Sequence, residues 1–430
     1  MPVCHNYHRI HPRLRGVRMR AATGFPSGTL SPAQILTAYG FKQNQFAGAK
    51  LIKLGVGSLG GGVVQVDINQ SVATWGMLAP NITIRTVGGA VNDPISDQDS
   101  SVENMLDLIP TISFTWWWLT GTAADVTITF GPNAGDGMTL VTNDLVSAGV
   151  QVVSWSWGSA ASSWSASDRA SLAAAFAAGV QKGVTFCAAA GDNSIDDGTG
   201  AASADYPCSD PCVWAVGGTN LSVAASGSRA GESAWGDGQP GDEGGGGGFD
   251  PTVPVPPFQQ GVIPAGSPGR GVPDSSANAD PNSGWQMSAN GSWTVVGGTS
   301  AASPFTAALI AVAKAVGKNA AGLLTPAIYA SRATDCNDIT VGSNGDPATP
   351  GWDPATGLGS PNNGAFMTAL ASSAPAPSPN PAPHPPAPTP PTPPTPPAPP
   401  APPIPAKVTL AQAQAWASAG LAANWPKGQP

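Results

Sequence analysis

Short, continuous apolar runs recur along the middle of the chain, separated by longer segments that mix Ala and Leu with polar residues. The runs lie at residues 49–56, 126–130, 150–157, 184–190 and 213–216. Runs of this kind are typical of parallel strands covered on both faces. The segments 168–182 and 303–316 predict helices, the first beginning at an Asp or Ser cap and the second with Pro304 in its first turn. The alternation predicts an α/β fold with a largely parallel central sheet and helices on both faces.

Composition divides the chain into four segments. Residues 23–372 predict one globular domain, preceded at 1–22 by an Arg- and His-rich arm that we expect to be disordered. Residues 373–406 are almost entirely Pro and Ala, which predicts a stiff polyproline II linker. Thr409 and Gln412 form a potential capping box, so residues 407–430 predict a short helical tail.

Composition and net charge bear on the protein's partners and on its relation to membranes. The chain is 41% apolar and only 10% charged, with a net charge of −8 at pH 7. Because the basic residues crowd the arm and the body is acidic, we expect no nucleic-acid partner. No apolar run reaches the roughly 18 residues that a transmembrane helix needs, so we expect none. Residues 1–22 also lack the apolar region of a signal peptide.

The cysteines are few and widely spread. They are Cys4, Cys187, Cys208, Cys212 and Cys336. Their spacing, without neighbouring histidines, predicts no zinc site. Cys187 lies in an apolar run and is expected in the core, whereas Cys208 and Cys212 either close a small disulfide loop or remain thiols.

Histidine is missing from the predicted domain. The four histidines, His5, His8, His11 and His384, all lie in the arm or the linker. A Ser-His-Asp triad, a Cys-His pair and a His-based zinc hydrolase therefore cannot be built inside residues 23–372. Any nucleophile there needs another base.

Ser300 is the candidate nucleophile. It lies in residues 297–304 (GGTSAASP), between an apolar run and the predicted helix from 303. Small neighbours let a substrate backbone approach its hydroxyl, and the N–H groups at a helix start favour a developing oxyanion. An ordinary Gly-rich turn with a Ser or Thr cap would have the same pattern.

The base must then be a carboxylate. Lys314 and Lys318 lie along the predicted helix, about 20 Å or more from Ser300 at 1.5 Å per residue. Glu103 and Asp107 stand at i,i+4 spacing, which puts both acids on one helix face among apolar residues. Like charges so placed repel each other, so that the pair can share a proton. The alternative is an exposed pair of surface acids.

Asp192 lies two positions after the apolar run 184–190, at the end of a predicted strand where α/β sheets place ligands. If it is buried and protonated, it can donate a hydrogen bond to a tetrahedral oxyanion. A turn or helix-cap Asp is the alternative.

These residues together resemble the sedolisin family of serine-carboxyl peptidases, and most of all its kumamolisin-like members. The resemblance covers roughly residues 25–372. The matching features follow the family's order: 30–32 (LSP) with 38–41 (AYGF), 59–62 (LGGG), Glu103 with Asp107, 154–158 (SWSWG), 190–192 (AGD), 270–274 (RGVPD) and 298–300 (GTS).

The resemblance implies a subtilisin-like fold with a single catalytic domain. It implies an endopeptidase in which Glu103 takes the Ser300 proton, Asp107 orients Glu103, and Asp192 completes the oxyanion hole. Peptide bonds would be hydrolysed through an acyl-enzyme, at acidic pH, because the base must be partly ionised while Asp192 stays protonated. We expect a monomer that acts on proteins or peptides outside the cell or in another acidic compartment.

The resemblance also implies one structural calcium ion and a substrate-pocket residue. The ion would be held by the carboxylates of Asp338 and Asp353 and by carbonyls of Ile339, Thr349 and Gly351. Asp205 matches a position that in some relatives favours basic side chains at the cleaved residue, although an Asp before Tyr-Pro is commonly a turn residue.

Two departures and two competing classes remain. Ser58 stands where relatives usually have a glutamate that supports the catalytic acids, and the chain reaches mature-like sequence by about residue 23 without the family's propeptide. A catalytically inactive, sedolisin-like surface or binding protein is the main alternative. An aspartic protease would need an Asp-Thr-Gly or Asp-Ser-Gly signature, which the sequence lacks.

Overall fold

The computed structural model describes residues 4–6, 9–10, 25–45, 52–118, 123–197, 199–236 and 243–372. Most of the predicted domain 23–372 and two pieces of the predicted arm are therefore described. The predicted linker 373–406 and tail 407–430 lie outside the described residues.

The helices and strands alternate through the domain. The helices are α1 Pro32–Ala38, α2 Gln65–Thr74, α3 Gln98–Trp118, α4 Gly137–Ser147, α5 Ala166–Gln181, α6 Thr299–Gly317, α7 Thr325–Asp335 and α8 Asn363–Ser372. The strands are β1 His5–Asn6, β2 Arg9–Ile10, β3 Leu54–Ser58, β4 Asn81–Thr86, β5 Asp125–Phe130, β6 Val152–Trp155, β7 Trp157–Ala160, β8 Thr185–Ala189, β9 Asp205–Tyr206, β10 Val213–Val223, β11 Arg229–Ala234, β12 Gly248–Asp250, β13 Arg270–Val272, β14 Ser275–Asn278, β15 Trp285–Ala289, β16 Ser292–Gly297, β17 Cys336–Asn337 and β18 Ser360–Pro361.

The central sheet is largely parallel, as predicted. Its order is β11-β10-β8-β6-β3-β5-β4, and β14 also pairs with β10. Its pairings are parallel apart from that of β10 with β11. Parallel strands need long crossover connections, and the helices between the strands supply them.

Strands β6, β8 and β10 contribute side chains to two separate cores. In β6, Val152 packs in one apolar cluster and Val153 in the other, because successive side chains point to opposite faces. Side chains of α3 and α6 fill the first cluster, and those of α4 and α5 fill the second. The sheet is therefore covered by helices on both faces, which accounts for its apolar runs.

Two predicted strands differ from the structure. The run 150–157 forms two strands, because the chain leaves the central sheet at Ser156: β6 pairs with β3 and β8, whereas β7 pairs with β1 and β9. Of the run 49–56 the structure describes residues 52–56, in which the strand begins at Leu54, and β3 continues through Gly57 to Ser58. A Cβ on Gly57 would lie 2.6 Å from the Trp155 ring, so glycine is needed there.

The predicted disordered arm contains two short strands. β1 pairs with β7, and β2 pairs with β16. Backbone pairing of this kind depends little on side-chain character, which is why a basic, histidine-rich segment did not predict it. The remainder of residues 1–22 lies outside the described part, apart from Cys4.

Helix α6 is almost wholly inside the protein. It begins at Thr299 rather than at 303, and its residues through Lys314 are buried. Pro304 therefore lies beyond the first turn, where it cannot donate the helical hydrogen bond to the Ser300 carbonyl. By length and composition α6 could cross a membrane, but 83% of its apolar window is buried within the fold.

Lys314, near the end of α6, is also buried. Its Nζ donates to the carbonyls of Gly183 at 2.7 Å and Ala321 at 2.8 Å. Burial lowers the pKa of this lysine to about 8. The ammonium group thus ties the far end of α6 to the loops beneath the sheet.

A buried ion pair joins four elements. Arg270 donates to both oxygens of Asp274, at 3.0 and 2.7 Å, and both side chains are inaccessible to solvent. Asp274 also accepts from the Ala215 N–H and from the Tyr329 hydroxyl, each at 2.8 Å. Arg270 donates in turn to the Val213 carbonyl at 3.1 Å. The pair thus links β10, β13, α7 and the turn before β14.

Replacing Arg270 by Met should destabilise the fold severely. The change leaves the Asp274 carboxylate buried without its cation, a defect that costs ~3–5 kcal/mol. The matched control is Arg85→Met, because Arg85 pairs with Asp144 at 2.6 Å but its side chain is 42% exposed. That exposed pair should contribute at most about 1 kcal/mol. Urea unfolding followed by tryptophan fluorescence measures both, and equal losses would contradict the role given to the buried pair.

Candidate active site

Glu103 and Asp107 lie one turn apart on α3, and both are fully buried. Met105, Leu106 and Leu108 on the same helix are inaccessible to solvent as well. The alternative interpretation, an exposed pair of surface acids, does not hold. Two carboxyl groups kept inside an apolar helix contact need hydrogen-bonding partners, since burying a charge is costly.

Asp107 is held by a serine from another element. Ser156, between β6 and β7, donates to Asp107 Oδ1 at 2.6 Å. Two positions earlier, the hydroxyl of Ser154 lies 2.9 Å from that of Ser303 on α6. Alternate residues of an extended chain point to the same side, so one short segment contacts α3 and α6 together. Ser154 and Ser156 therefore connect the end of β6 to both helices.

Asp192 lies just beyond the carboxyl end of β8 and is fully buried. Its Oδ1 accepts from both the backbone N–H and the hydroxyl of Thr299, each at 2.8 Å. The N–H of Gly191 donates back to the Thr299 hydroxyl at 3.2 Å. These bonds fix the carboxyl group at the first residue of α6, beside Ser300.

Ser300 is the second residue of α6 and is fully buried. Among the described residues its Oγ has no hydrogen-bond partner. Gly298 precedes the helix with φ +123°, a conformation that favours glycine. A Cβ on Gly297 would lie 2.2 Å from the Ala279 carbonyl oxygen. The glycines are thus required by close backbone approach, and they bring the turn against the sheet.

Asp205 is buried beside the same site. It lies in β9, and its Oδ2 is 2.8 Å from where a Cβ on Gly191 would be. The Cys208 thiol donates to the Asp205 carbonyl at 3.1 Å. Cys208 and Cys212 are both free thiols, so they do not form the disulfide that the sequence had left open. Burial raises the pKa of the Cys4 thiol to about 12, and the nearby Asp205 carboxylate also raises it.

Ser58, at the position where the resemblance led us to expect a glutamate, supports the glycine loop after β3. Its hydroxyl donates to the Gly60 carbonyl at 2.9 Å. Asn104, on α3 between the two acids, donates to the same carbonyl at 3.0 Å. The loop is therefore fastened to the helix that holds Glu103 and Asp107.

The expected calcium ligands surround one turn. Asp338 Oδ2 accepts from the Gly351 N–H at 3.0 Å, and Asp353 Oδ2 accepts from the Thr349 N–H at 2.9 Å. Burial raises the pKa of the Asp353 carboxyl, and its backbone hydrogen bonds oppose the rise. No cluster of three His, Cys, Asp or Glu side chains occurs in the described residues. The expected donor set, two carboxylates and three backbone carbonyls, consists of oxygen atoms only, which is the chemistry that a hard cation such as calcium favours.

Comparison with known proteins identifies the family. Kumamolisin from Bacillus sp. (strain MN-32) is 34% identical over 397 residues, covering 87% of this chain and 69% of that protein. Sedolisin from Pseudomonas sp. (strain 101) is 28% identical over 393 residues, covering 83% of this chain and 64% of that protein. The chain belongs to the sedolisin family of serine-carboxyl peptidases. It spans about two thirds of the length of these two sedolisin-family relatives.

A solved structure supports a sedolisin-like fold for this chain. Pseudomonas sedolisin (serine-carboxyl proteinase), complexed with two molecules of pseudo-iodotyrostatin, has a TM-score of 0.71 and 26% identity. The match covers 81% of this chain and 99% of that one. Residues 111–334 also match the subtilase family, Peptidase_S8. That range contains Asp192 and Ser300 but begins after Glu103 and Asp107, the acids of the sedolisin pattern.

Ser156 and Thr299 are the site residues that sequence reasoning missed. Both lie inside motifs noted in the sequence, but neither had a role assigned to it. Two signals were available in the sequence. Ser156 lies two positions from another serine in a buried run, and Thr299 directly precedes the candidate nucleophile. Neither signal names its partner, because the partners are 49 and 107 positions away.

Replacing Thr299 by Val should destabilise the protein by ~1–3 kcal/mol, because it removes the buried hydrogen bonds of this hydroxyl with Asp192 and Gly191 at nearly constant volume. Thr306→Val on the same helix is the matched control, because Thr306 Oγ1 is buried with no partner among the described residues. The control should be neutral or stabilising. Urea unfolding measures the free energy of unfolding of both variants. Similar values for the two would mean that the hydrogen bonds of the Thr299 hydroxyl do not stabilise the protein.

Proposed function

We propose that this chain is an acid-acting serine endopeptidase with Ser300 as nucleophile. One observation supports it most: two packed helices bring a buried serine hydroxyl and a buried pair of acids into one core, in a domain whose sequence has no histidine. A serine hydroxyl needs a base to become nucleophilic, and carboxylates are the bases available there.

The proposed reaction has two halves. Glu103 takes the proton of Ser300 Oγ while Oγ bonds to the carbon of the scissile carbonyl, whose electron pair moves onto oxygen. The C–N bond then breaks, and Glu103 returns the proton to the leaving amine. Water then attacks the acyl carbon and gives a proton to Glu103. Ser300 Oγ takes this proton from Glu103 as the Oγ–C bond breaks. Asp107, held by Ser156, orients Glu103 throughout.

Asp192 is proposed to stabilise the oxyanion. The Thr299 bonds to its Oδ1 hold the carboxyl at the start of α6, close to Ser300. In its protonated form Asp192 donates a hydrogen bond to the negative oxygen of the tetrahedral intermediate, as a neutral acid in a buried site can. Activity therefore needs Asp192 protonated and the acid pair partly ionised, which confines it to acidic pH.

Asp205 is proposed to set the preference for the cleaved residue. Its carboxyl group is buried against Gly191, the neighbour of Asp192. A buried carboxylate at the wall of a substrate pocket favours a basic side chain there. Substrates would be proteins or peptides, and the location extracellular or another acidic compartment.

We also propose one structural calcium ion held by Asp338 and Asp353 with carbonyls of Ile339, Thr349 and Gly351. Ile339 packs with Ala234, Ala348 and Ala355 in a small apolar cluster, which fixes the backbone around the turn. Bound calcium would neutralise the two carboxylates and stabilise the fold there.

The pH profile of peptidase activity tests the assignment. On denatured protein from roughly pH 3 to 7, activity should peak in acid and be unaffected by pepstatin. Ser300→Ala and Glu103→Gln should each lose activity by ~10³-fold or more, and Asp192→Asn by ~10²–10³-fold, as for loss of an oxyanion donor. Asp99→Asn, an exposed acid in the first turn of α3, is the control and should retain activity.

Two results would contradict the assignment. Undiminished activity in Ser300→Ala would remove the nucleophile. An inactive wild-type protein at every pH tested would favour the alternative of a sedolisin-like binding protein.

Calcium removal should lower thermal stability. A chelator should decrease the melting temperature of the full chain, and excess calcium should restore it, with a stabilisation of ~2–4 kcal/mol at 100 to 1,000 times the dissociation constant. Asp353→Asn should abolish the response. Asp346→Asn, an acid in the neighbouring turn, is the control that should keep it. If neither the chelator nor calcium changes the melting temperature of the wild type, the proposed calcium site is wrong.

A further inference from the structure

A run of glycines lies against the carboxyl end of β8, and its residues 244–247 are called the glycine strap below. The Gly246 N–H donates to the Gly191 carbonyl at 2.7 Å, and the Gly244 N–H donates to the Asp192 carbonyl at 3.1 Å. The strap is therefore hydrogen-bonded to the backbone of the acid that is proposed to stabilise the oxyanion.

The strap has backbone on both of its sides, at distances that only glycine allows. A Cβ on Gly246 would lie 1.9 Å from the Ala190 carbonyl oxygen, and one on Gly247 would lie 1.8 Å from the Pro354 carbonyl oxygen. Glycine permits such a close approach of two backbone segments because it has no Cβ. The strap thus fills the space between the end of β8 and the turn that follows Asp353.

Asn344 fastens the strap and is fully buried. Its Nδ2 donates to the Gly245 carbonyl at 2.7 Å, and its Oδ1 accepts from the Asp346 N–H at 3.2 Å. Its backbone carbonyl accepts from the Ile195 N–H at 2.9 Å. One buried residue therefore binds both the strap and the segment that follows Asp192.

The carboxyl group and the backbone of Asp192 are held by separate contacts. Thr299 holds the carboxyl group at the start of α6, and the strap holds the backbone. A hydrogen-bond donor stabilises an oxyanion only if it lies where the negative charge develops. Because a displacement of about 1 Å can cost roughly 10²-fold in rate, the contacts of the strap bear on catalysis.

We propose that Asn344 is a positioning residue for Asp192 and that it acts through the glycine strap. The amide of Asn344 fixes the strap, the strap fixes the backbone at Asp192, and the carboxyl group is thereby held where the oxyanion forms. The role of Asp192 rests on the proposed function, whereas the fastening of the strap by Asn344 does not. Because the oxyanion forms only during the reaction, loss of Asn344 should lower kcat and leave KM nearly unchanged.

Amide hydrogen exchange tests the fastening without any catalysis. It is measured by NMR on the full chain with Ser300→Ala, which prevents self-digestion. Adding Asn344→Ala should speed exchange of the Gly244 and Gly246 N–H groups by ~3–10-fold, because the strap loses one hydrogen bond. The Val153 N–H, in the middle of the central sheet, should exchange at an unchanged rate.

Asn319→Ala is the matched control. Asn319 Nδ2 donates to the Leu370 carbonyl at 2.8 Å, and its Oδ1 accepts from the Ala321 N–H at 2.9 Å, so its amide makes the same pair of bonds as that of Asn344. It lies beyond the far end of α6, about 28 Å from Ser300 at 1.5 Å per residue. This variant should change neither the exchange of the strap nor kcat.

A double-mutant cycle tests whether Asn344 acts through Asp192. With Ser300 intact, Asn344→Ala should lower kcat on a peptide substrate by ~10-fold and change KM by less than ~2-fold. In a chain that also carries Asp192→Asn, the same change should lower kcat by less than ~2-fold, because the acid is no longer there to be misplaced. A general loss of structure would lower kcat equally in both backgrounds.

A second variant moves the strap and leaves Asn344 in place, which covers the case in which Asn344→Ala does not fold. A Cβ on Gly245 would lie 3.1 Å from the Gly218 nitrogen, so Gly245→Ala should displace the strap slightly and lower kcat in the same Asp192-dependent way. Gly231→Ala is its control, because a Cβ there would have no atom within 4 Å. Equal kcat in these two variants would contradict the role given to the strap.

Two further outcomes overturn the proposal. One is exchange of the Gly244 and Gly246 amides at the rate of the parent chain in Asn344→Ala. The other is a kcat loss as large with Asp192→Asn as without it, which would mean that Asn344 acts by another route. An inactive wild-type protein would refute the proposed function instead, and the exchange rates would still decide whether Asn344 holds the strap.

Discussion

The contact between α3 and α6 is the constraint on which the site depends. α6 is buried from Thr299 to Lys314, and its many alanines let α3 and the central strands approach closely. Glu103 and Asp107 come from one helix and Ser300 from the other, so the proposed chemistry lies inside the helix contact rather than on a loop above it. Groups held by packed helices are positioned more firmly than groups on loops.

Burying acids in such a contact is costly, and the surrounding hydroxyl groups offset part of the cost. Ser156 donates to Asp107, and Thr299 donates to Asp192. A hydroxyl can serve a carboxylate as donor and a carboxylic acid as acceptor, because it rotates. Serine and threonine partners therefore suit acids that change protonation during a reaction, whereas an arginine would hold them ionised.

Local pattern was enough to predict much of this arrangement. Apolar runs predicted the parallel sheet with helices on both faces, and i,i+4 spacing placed Glu103 and Asp107 on one helix face. Asp192 follows β8 as the run before it indicated. The partners Ser156 and Thr299 could not be predicted, since they depend on which strand end meets which helix. Strands β1 and β2 were missed for a related reason: their partners are β7 and β16, and backbone pairing leaves no side-chain signature.

The buried end of α6 has a consequence for stability in alkali. Burial lowers the pKa of Lys314 to about 8, below the value of 10.5 that the same group has when it is exposed. Between these two values the unfolded chain binds more protons than the folded one, so this lysine makes the fold more stable as the pH rises through that window.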